Sequence, residues 1–285
     1  MDSTHLPSRL LGSTGVSVSI FGLGGEGVLR TFGYDAQARA VIDAALEDGV
    51  SYFDCARAYA GSEQYYGAAL GPRRSRIFLC SKAHDRSYDG ALAMLDQTLA
   101  NMRTDHLDLW QLHDVRTWDD IEAMDGERGT FAAFERAKRD GKVRFIGVTG
   151  HHDPEVLLEA IRRFRFDTVL LPVNPCEPAA EPFTDVVVPH AVSLGMGVIA
   201  MKVLSRGLLL QLSEPPSIQA LFDYALTQPV SLAIIGCDDV SQVRANAATA
   251  RAFKPMAEAE LRSLEQHVRP AAERMLYYRP PTLRA

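Results

Sequence analysis

Eight short apolar runs, separated by stretches of helical periodicity, constrain this chain more than any other feature of its sequence. They are Ile20-Phe21, Tyr52-Phe53, Ile77-Phe78-Leu79, Leu107 to Leu112, Val143 to Val148, Thr168 to Val173, Val198-Ile199-Ala200 and Leu232 to Ile235. None carries the strict polar alternation of a sheet with one wet face, so both faces of each strand are expected to be buried. Eight such strands with intervening helices predict an α/β fold, a single (β/α)8 TIM barrel over residues 1–285. No Pro/Gly/Ser linker divides the chain. Ahead of the first run, Gly12-Ser13-Thr14-Gly15 separates Arg9-Leu10-Leu11 from Val16 to Ile20, which is a hairpin signal.

The helical stretches carry their own punctuation. Asp35 is placed to cap a helix that ends at Gly49, and Leu92, Leu95, Leu99 and Met102 form one apolar stripe. Phe131 and Phe134 lie on a segment closed by Gly141. Asp153-Pro154 gives an N-cap with a first-turn proline, Ser217 precedes another helix, and Leu261, Leu264 and Val268 mark a last one. Asp114 to Gly129, Leu204 to Pro216 and Arg269 to Ala285 lack periodicity and read as loops over the rim.

Composition bounds the partners. A formal net charge of −6 argues against a general binder of nucleic acid or acidic membrane. No apolar run approaches the roughly 18–20 residues that span a bilayer. The start, Met1 to Pro7, has neither the basic end nor the apolar core of a signal peptide. Cys55, Cys80, Cys176 and Cys237 are scattered and form no CxxC pair, so reduced core thiols and a cytoplasmic location are expected.

Gly22-Leu23-Gly24-Gly25-Glu26-Gly27 matches G-x-G-x-x-G, but the first convincing helix begins only near Asp35. A dinucleotide loop needs its third glycine to open a helix facing the phosphates. The stretch is therefore read as a flexible strand-to-helix turn, whose Gly24 and Gly25 could let the backbone approach a ligand.

Three of the runs stop at ionisable residues: Asp54, Lys82 and His113, with Tyr59 in the loop after the first. An apolar strand that repeatedly ends in a reactive residue is how a barrel builds a site at one rim. A free tyrosine, with a pKa near 10, is a poor acid at neutral pH. The Lys82 ammonium is expected to lower that pKa, Asp54 to keep Lys82 protonated, and His113 to orient a carbonyl oxygen. A positioned acid contributes about 10²–10⁴-fold to rate. None of the four donates hydride well, so a nicotinamide cofactor is called for. Taken singly, Asp54 and Lys82 also fit a buried ion pair, and His113 a core histidine.

Phe53-Asp54, Tyr59, Ser81-Lys82 and Leu112-His113 on successive strands resemble the aldo-keto reductase superfamily. The likeness covers essentially the whole chain, including Leu11 to Ser19, Gly22-Leu23-Gly24, Gly141 to Thr149 and Leu204 to Leu209. It implies a hairpin that closes the barrel bottom and an NAD(P)H-dependent oxidoreductase acting on a carbonyl or alcohol substrate. In that reading Tyr59 is the acid/base and Lys82, Asp54 and His113 support it. The cofactor contacts implied are Gly24, Gly25, Asp54, Thr149, Gly150, Leu170, Met201, Lys202, Leu204, Ser205, Arg206, Cys237, Asp238, Gln242 and Asn246.

Several of these depart from the family pattern. Thr149-Gly150 stands for the usual Ser-Asn, Leu170 for a glutamine, and Met201 for a stacking tyrosine. Gly236-Cys237-Asp238-Asp239 stands where a basic or hydroxyl clamp for the 2′-phosphate is common. The resemblance implies NADPH, while Asp238 and Asp239 leave NADH open unless Arg244 or Arg251 reaches the phosphate. A nucleotide-binding sensor or regulatory subunit with little turnover is the alternative. A metal-dependent hydrolase comes third, because no His-x-His ends an early strand and no carboxylate-rich cluster completes a metal site around His151-His152. Trp110, three residues before His113, is expected to point into the core, while Trp118, Tyr277 and Tyr278 sit in candidate substrate loops.

Overall fold

The eight apolar runs become eight parallel strands that close on themselves. The computed structural model describes residues 5–284, so part of the N-terminal stretch considered above lies outside the described residues. A hairpin, β1 (Ser8–Leu10) and β2 (Ser17–Ser19), comes first. Then follow β3 (Phe21–Gly27), α1 (Asp35–Glu47), β4 (Tyr52–Phe53), α2 (Ser62–Ala69), β5 (Phe78–Ala83) and α3 (Tyr88–Met102). The middle of the chain holds β6 (Leu107–Leu112), α4 (Trp118–Met124), α5 (Thr130–Arg139), β7 (Val143–Thr149), α6 (Pro154–Arg163) and β8 (Thr168–Pro172). The rest holds α7 (Phe183–Val186), α8 (Val188–Ser193), β9 (Gly197–Met201), α9 (Ile218–Thr227), β10 (Leu232–Cys237), α10 (Val240–Arg251), α11 (Glu258–Val268) and α12 (Ala272–Met275). Strands β3 to β10 pair in chain order, and β10 returns to β3.

Strand alternation sorts side chains into two cores. Tyr52, Phe78, Cys80, Leu109, Leu170, Ile199 and Leu232 fill the barrel interior, with Tyr52 and Phe78 stacked at 5.5 Å. Phe53, Leu79 and Trp110 point the other way, into the helix layer. There Trp110 lies 3.8 Å from Phe134, ring over ring, as its spacing from His113 predicts. Fully burying each large apolar side chain is worth about 1.5–3 kcal/mol.

The hairpin seals the end of the barrel from which the strands start. Leu11 and Val18 are wholly buried in the interior core. Arg9 donates to the carbonyls of Val230 (2.7 Å) and Leu226 (2.9 Å), and Ser13 N donates to Gly195 O at 2.8 Å. Gly12, at φ +54°, fits because a Cβ there would stand 2.3 Å from Gly197 N.

Four local expectations are corrected. Asp35 is the first residue of α1, not its cap, and Tyr34 takes the cap position. Leu92 is only half-buried, whereas Ala91, Leu95, Thr98, Leu99 and Met102 form the buried face of α3. The stretch Asp114 to Gly129 contains α4, started by a capping box between Thr117 and Asp120. Gly22 to Gly27 is strand, not turn. Glycine is a poor strand former, but β3 needs it, because a methyl at Gly24 would lie 2.9 Å from Gly236 N in β10. Asp153 and Ser217 cap α6 and α9 as expected. No helix among the described residues is long and apolar enough to cross a membrane.

Candidate active site

Strand pairing carries the three ionisable strand ends to one rim. Asp54 N donates to Leu23 O at 2.8 Å, and His113 N donates to Ala83 O at 2.8 Å, so both follow their strands in register. Lys82 lies inside β5, paired with Gln111 of β6. Its ammonium donates to Asp54 Oδ2 at 2.5 Å and to Cys55 O at 2.7 Å, buried on all sides. Tyr59 comes from the loop after β4, with its amide on Ala56 O at 2.9 Å. The Lys82 ammonium lies 5.2 Å from the Tyr59 ring centroid, and the His113 ring meets Tyr59 edge-on at 5.7 Å. The structure thus brings together all four residues singled out from the sequence.

Burial governs their protonation. It would lower Lys82, but the Asp54 carboxylate outweighs it and holds the ammonium above its ordinary range. Burial pushes Asp54 up against the pull of Lys82. The desolvating wall pushes Tyr59 up to about 12, and Lys82 pulls it down without winning. Lys82 thus acts on Tyr59 in the direction expected of it, and burial outweighs it. Burial, then the Lys82 charge, holds His113 well below 6.5. At neutral pH the site presents a neutral phenol and a neutral imidazole beside a fixed ion pair.

These groups face a cleft of about 1070 Å³ at the rim opposite the hairpin. Gly24, Gly25, Thr149, Leu170, Met201, Lys202, Leu204, Arg206, Asp238, Gln242 and Asn246 line it with the four. Gly150, Ser205 and Cys237 do not. Gly150 packs against Leu157 of α6, Ser205 Oγ turns to Met275 O at 3.5 Å, and Cys237 Sγ accepts from Asn246 Nδ2 at 3.4 Å. Gly25 has a second task, since a Cβ there would be 2.8 Å from Tyr59 Cδ2.

The residues fit an elongated polar ligand. Asp54 Oδ1 is buried without a hydrogen-bond partner and belongs to the cleft wall. Thr149 Oγ1 accepts from Asp114 N at 2.7 Å, which leaves its hydroxyl hydrogen for a ligand. At the far end Asp239 is spent capping α10. Arg244 is paired to Glu47 and Asp48, and Arg251 to Asp48, so neither is a free cation beside Asp238.

Some contributors escaped the sequence reading. Glu26 and Arg30 line the cleft, and the Arg30 guanidinium lies 4.9 Å over the Tyr59 ring. Asp114 comes within 3.2 Å of His151 Nδ1 and forms a cluster with His151 and His152 that holds one carboxylate. Arg116 holds its other oxygen. Burial lowers His151 to about 4. Tyr277 and Tyr278 face the cleft, whereas Trp118 stands exposed at the start of α4 and does not line it. Only the partners' positions in space could have revealed Glu26 and Asp114.

Several known proteins resemble this chain. The Aldo/keto reductase family model matches residues 20–220. An uncharacterized oxidoreductase, YqkF, of Bacillus subtilis is 25% identical, covering 92% of this chain and 96% of its own. L-galactose dehydrogenase of Arabidopsis thaliana is 29% identical, over 74% of this chain and 70% of its own length. The holo structure of the aldo-keto reductase AKR11C1 from Bacillus halodurans superposes with a TM-score of 0.78 at 25% identity, over 93% of this chain and 96% of that one. With a family model that spans most of its length and a barrel that superposes on a solved member, this chain belongs to the aldo/keto reductase family.

Proposed function

We propose that this oxidoreductase interconverts an aldehyde or ketone and its alcohol, with Tyr59 as general acid/base. The observation that carries the reading is the neutral Tyr59 phenol, set between the Lys82 ammonium and the His113 ring on the cleft wall. A nicotinamide nucleotide supplies the hydride when bound. The chain's own residues do the rest. In reduction, Tyr59 gives its proton to the oxygen of the reacting carbonyl, and in oxidation it takes one back. Lys82 steadies the phenolate that remains, and Asp54 keeps Lys82 charged. His113, neutral, donates a hydrogen bond that orients the oxygen.

The Asp54 Oδ1, Thr149 and Met201 side of the cleft is read as the seat of the nicotinamide half, and Asp238, Gln242 and Asn246 as that of the adenosine half. We read the cofactor as NADPH, with little discrimination against NADH, because Arg244 and Arg251 are both spent on the carboxylates of Glu47 and Asp48. The polar wall of Asp114, His151 and His152 beyond His113 suits hydroxylated carbonyl substrates, a sugar-type aldehyde among them. All four cysteines are free and buried, which supports a reducing, cytoplasmic setting.

The test is turnover of reduced nucleotide with a panel of short and hydroxylated aldehydes, on the wild type and Tyr59→Phe. Tyr59→Phe should lose about 10²–10⁴-fold in kcat while nucleotide binding is kept. Full activity in Tyr59→Phe would overturn the assignment, and absence of nucleotide binding would overturn the reading as a whole.

A further inference from the structure

Glu26, near the end of β3, sets its carboxylate among three cations from two separate loops. Arg206 reaches it with two nitrogens, Nε to Oε2 and Nη2 to Oε1, each at 3.0 Å. Arg30 Nη1 lies 3.0 Å from Oε1, and Lys202 Nζ 3.8 Å from the same atom. The loop that brings Lys202 and Arg206 is held in an unfavourable backbone state. Lys202, Ser205 and Arg206 all lie in the left-handed region, at φ 59°, 45° and 56°. A non-glycine residue persists there only where its surroundings hold it. Glu26 is a visible part of that hold, since its salt bridges join the loop to β3. Burial pushes the Glu26 carboxyl up, but Arg206, Lys202 and Arg30 together outweigh it, so it is ionised at neutral pH.

On the reading proposed above, a nucleotide lying along the cleft must pass its diphosphate across this loop. The cations suited to it are already neutralised. Arg206 spends its two-pronged face on Glu26, and two anions cannot share one such fork. We infer that Glu26 is an internal counter-anion, which holds Arg206 and Lys202 over the cleft in the nucleotide-free chain and yields them to the diphosphate on binding. The exchange is feasible because the Glu26 side chain is 29% exposed and can turn to water. Arg30, which also pairs with Glu26, lies 4.9 Å over the Tyr59 ring, so the same carboxylate borders the acid/base.

The experiment is calorimetric titration with ADP, which carries the diphosphate without the nicotinamide, and in parallel with NADPH. Wild type, Glu26→Gln and Arg206→Gln are compared at low and raised salt. Glu26→Gln should bind both ligands about three- to tenfold tighter, with the gap narrowing as salt screens the charges. Arg206→Gln should bind both more weakly. Equal or weaker ADP binding by Glu26→Gln would make Glu26 a plain scaffold and overturn the inference. So would unchanged binding by Arg206→Gln, or no ADP binding by any of the three. ADP binding without any binding of NADPH would leave the counter-anion standing and defeat the NADPH reading instead.

Discussion

Arg279, close to the C-terminus, is fully buried with its guanidinium against the carboxylate of Glu177, which follows β8. The same carboxylate accepts from the Tyr278 hydroxyl, which in turn accepts from Asn174 Nδ2 at 2.9 Å. This cluster fastens the tail that carries Tyr277 and Tyr278 over the cleft. Removing one partner leaves the other as an uncompensated buried charge, at a cost of about 3–5 kcal/mol. Arg279→Met should lower stability by that order and raise KM more than it lowers kcat. Denaturant unfolding and steady-state kinetics check it, and Arg279→Met/Glu177→Met should recover part of the stability but not the KM.

Gly25 holds open the space for Tyr59. In Gly25→Ala the new methyl starts 2.8 Å from Tyr59 Cδ2 and 3.0 Å from Asp54 O, so the ring must shift. Displacement of a reacting group by about 1 Å can cost on the order of 10²-fold. The variant should keep its fold by circular dichroism, while kcat falls by roughly ten- to a hundredfold. A kcat at the wild-type level would show that Tyr59 tolerates the shift.

Acid should loosen the protein through its buried neutral imidazoles. His113 is held well below 6.5 and His151 at about 4, so the unfolded chain binds protons at these sites before the folded one does. Stability is then fully present above about 6.5 and is lost as pH falls toward 4. Each such histidine contributes a slope of up to about 1.4 kcal/mol per pH unit within its window. Urea midpoints measured across that range should fall less steeply for His151→Asn than for the wild type.

The cofactor preference can be read at Asp238. Its carboxylate lines the cleft, and the nearby arginines are committed to Glu47 and Asp48. Asp238→Ala should bind NADPH several-fold tighter and leave NADH nearly unchanged, as followed by nucleotide fluorescence. If neither affinity moves, another residue reads the ribose.

What the sequence disclosed follows from what is local. The barrel could be read because both-face burial writes itself as unbroken apolar runs, and Asp54, Lys82 and His113 stand out because each interrupts or ends one. Glu26 could not be read. It sits in a run of glycines, and its partners Lys202 and Arg206 lie across the rim, far along the chain. Gly22 to Gly27 looks like a turn by propensity, and only the closeness of β10 makes it a strand. Arg279 carries no local signal of burial, because only the fold places Glu177 beside it. Helix α4 hides because its two turns bury only Ile121 and Met124.

The plug formed by Leu11 and Val18 divides labour between the two ends of the barrel. Changes beneath, where the hairpin sits, are felt as stability, whereas changes at the opposite rim, where the cleft opens, are felt as chemistry.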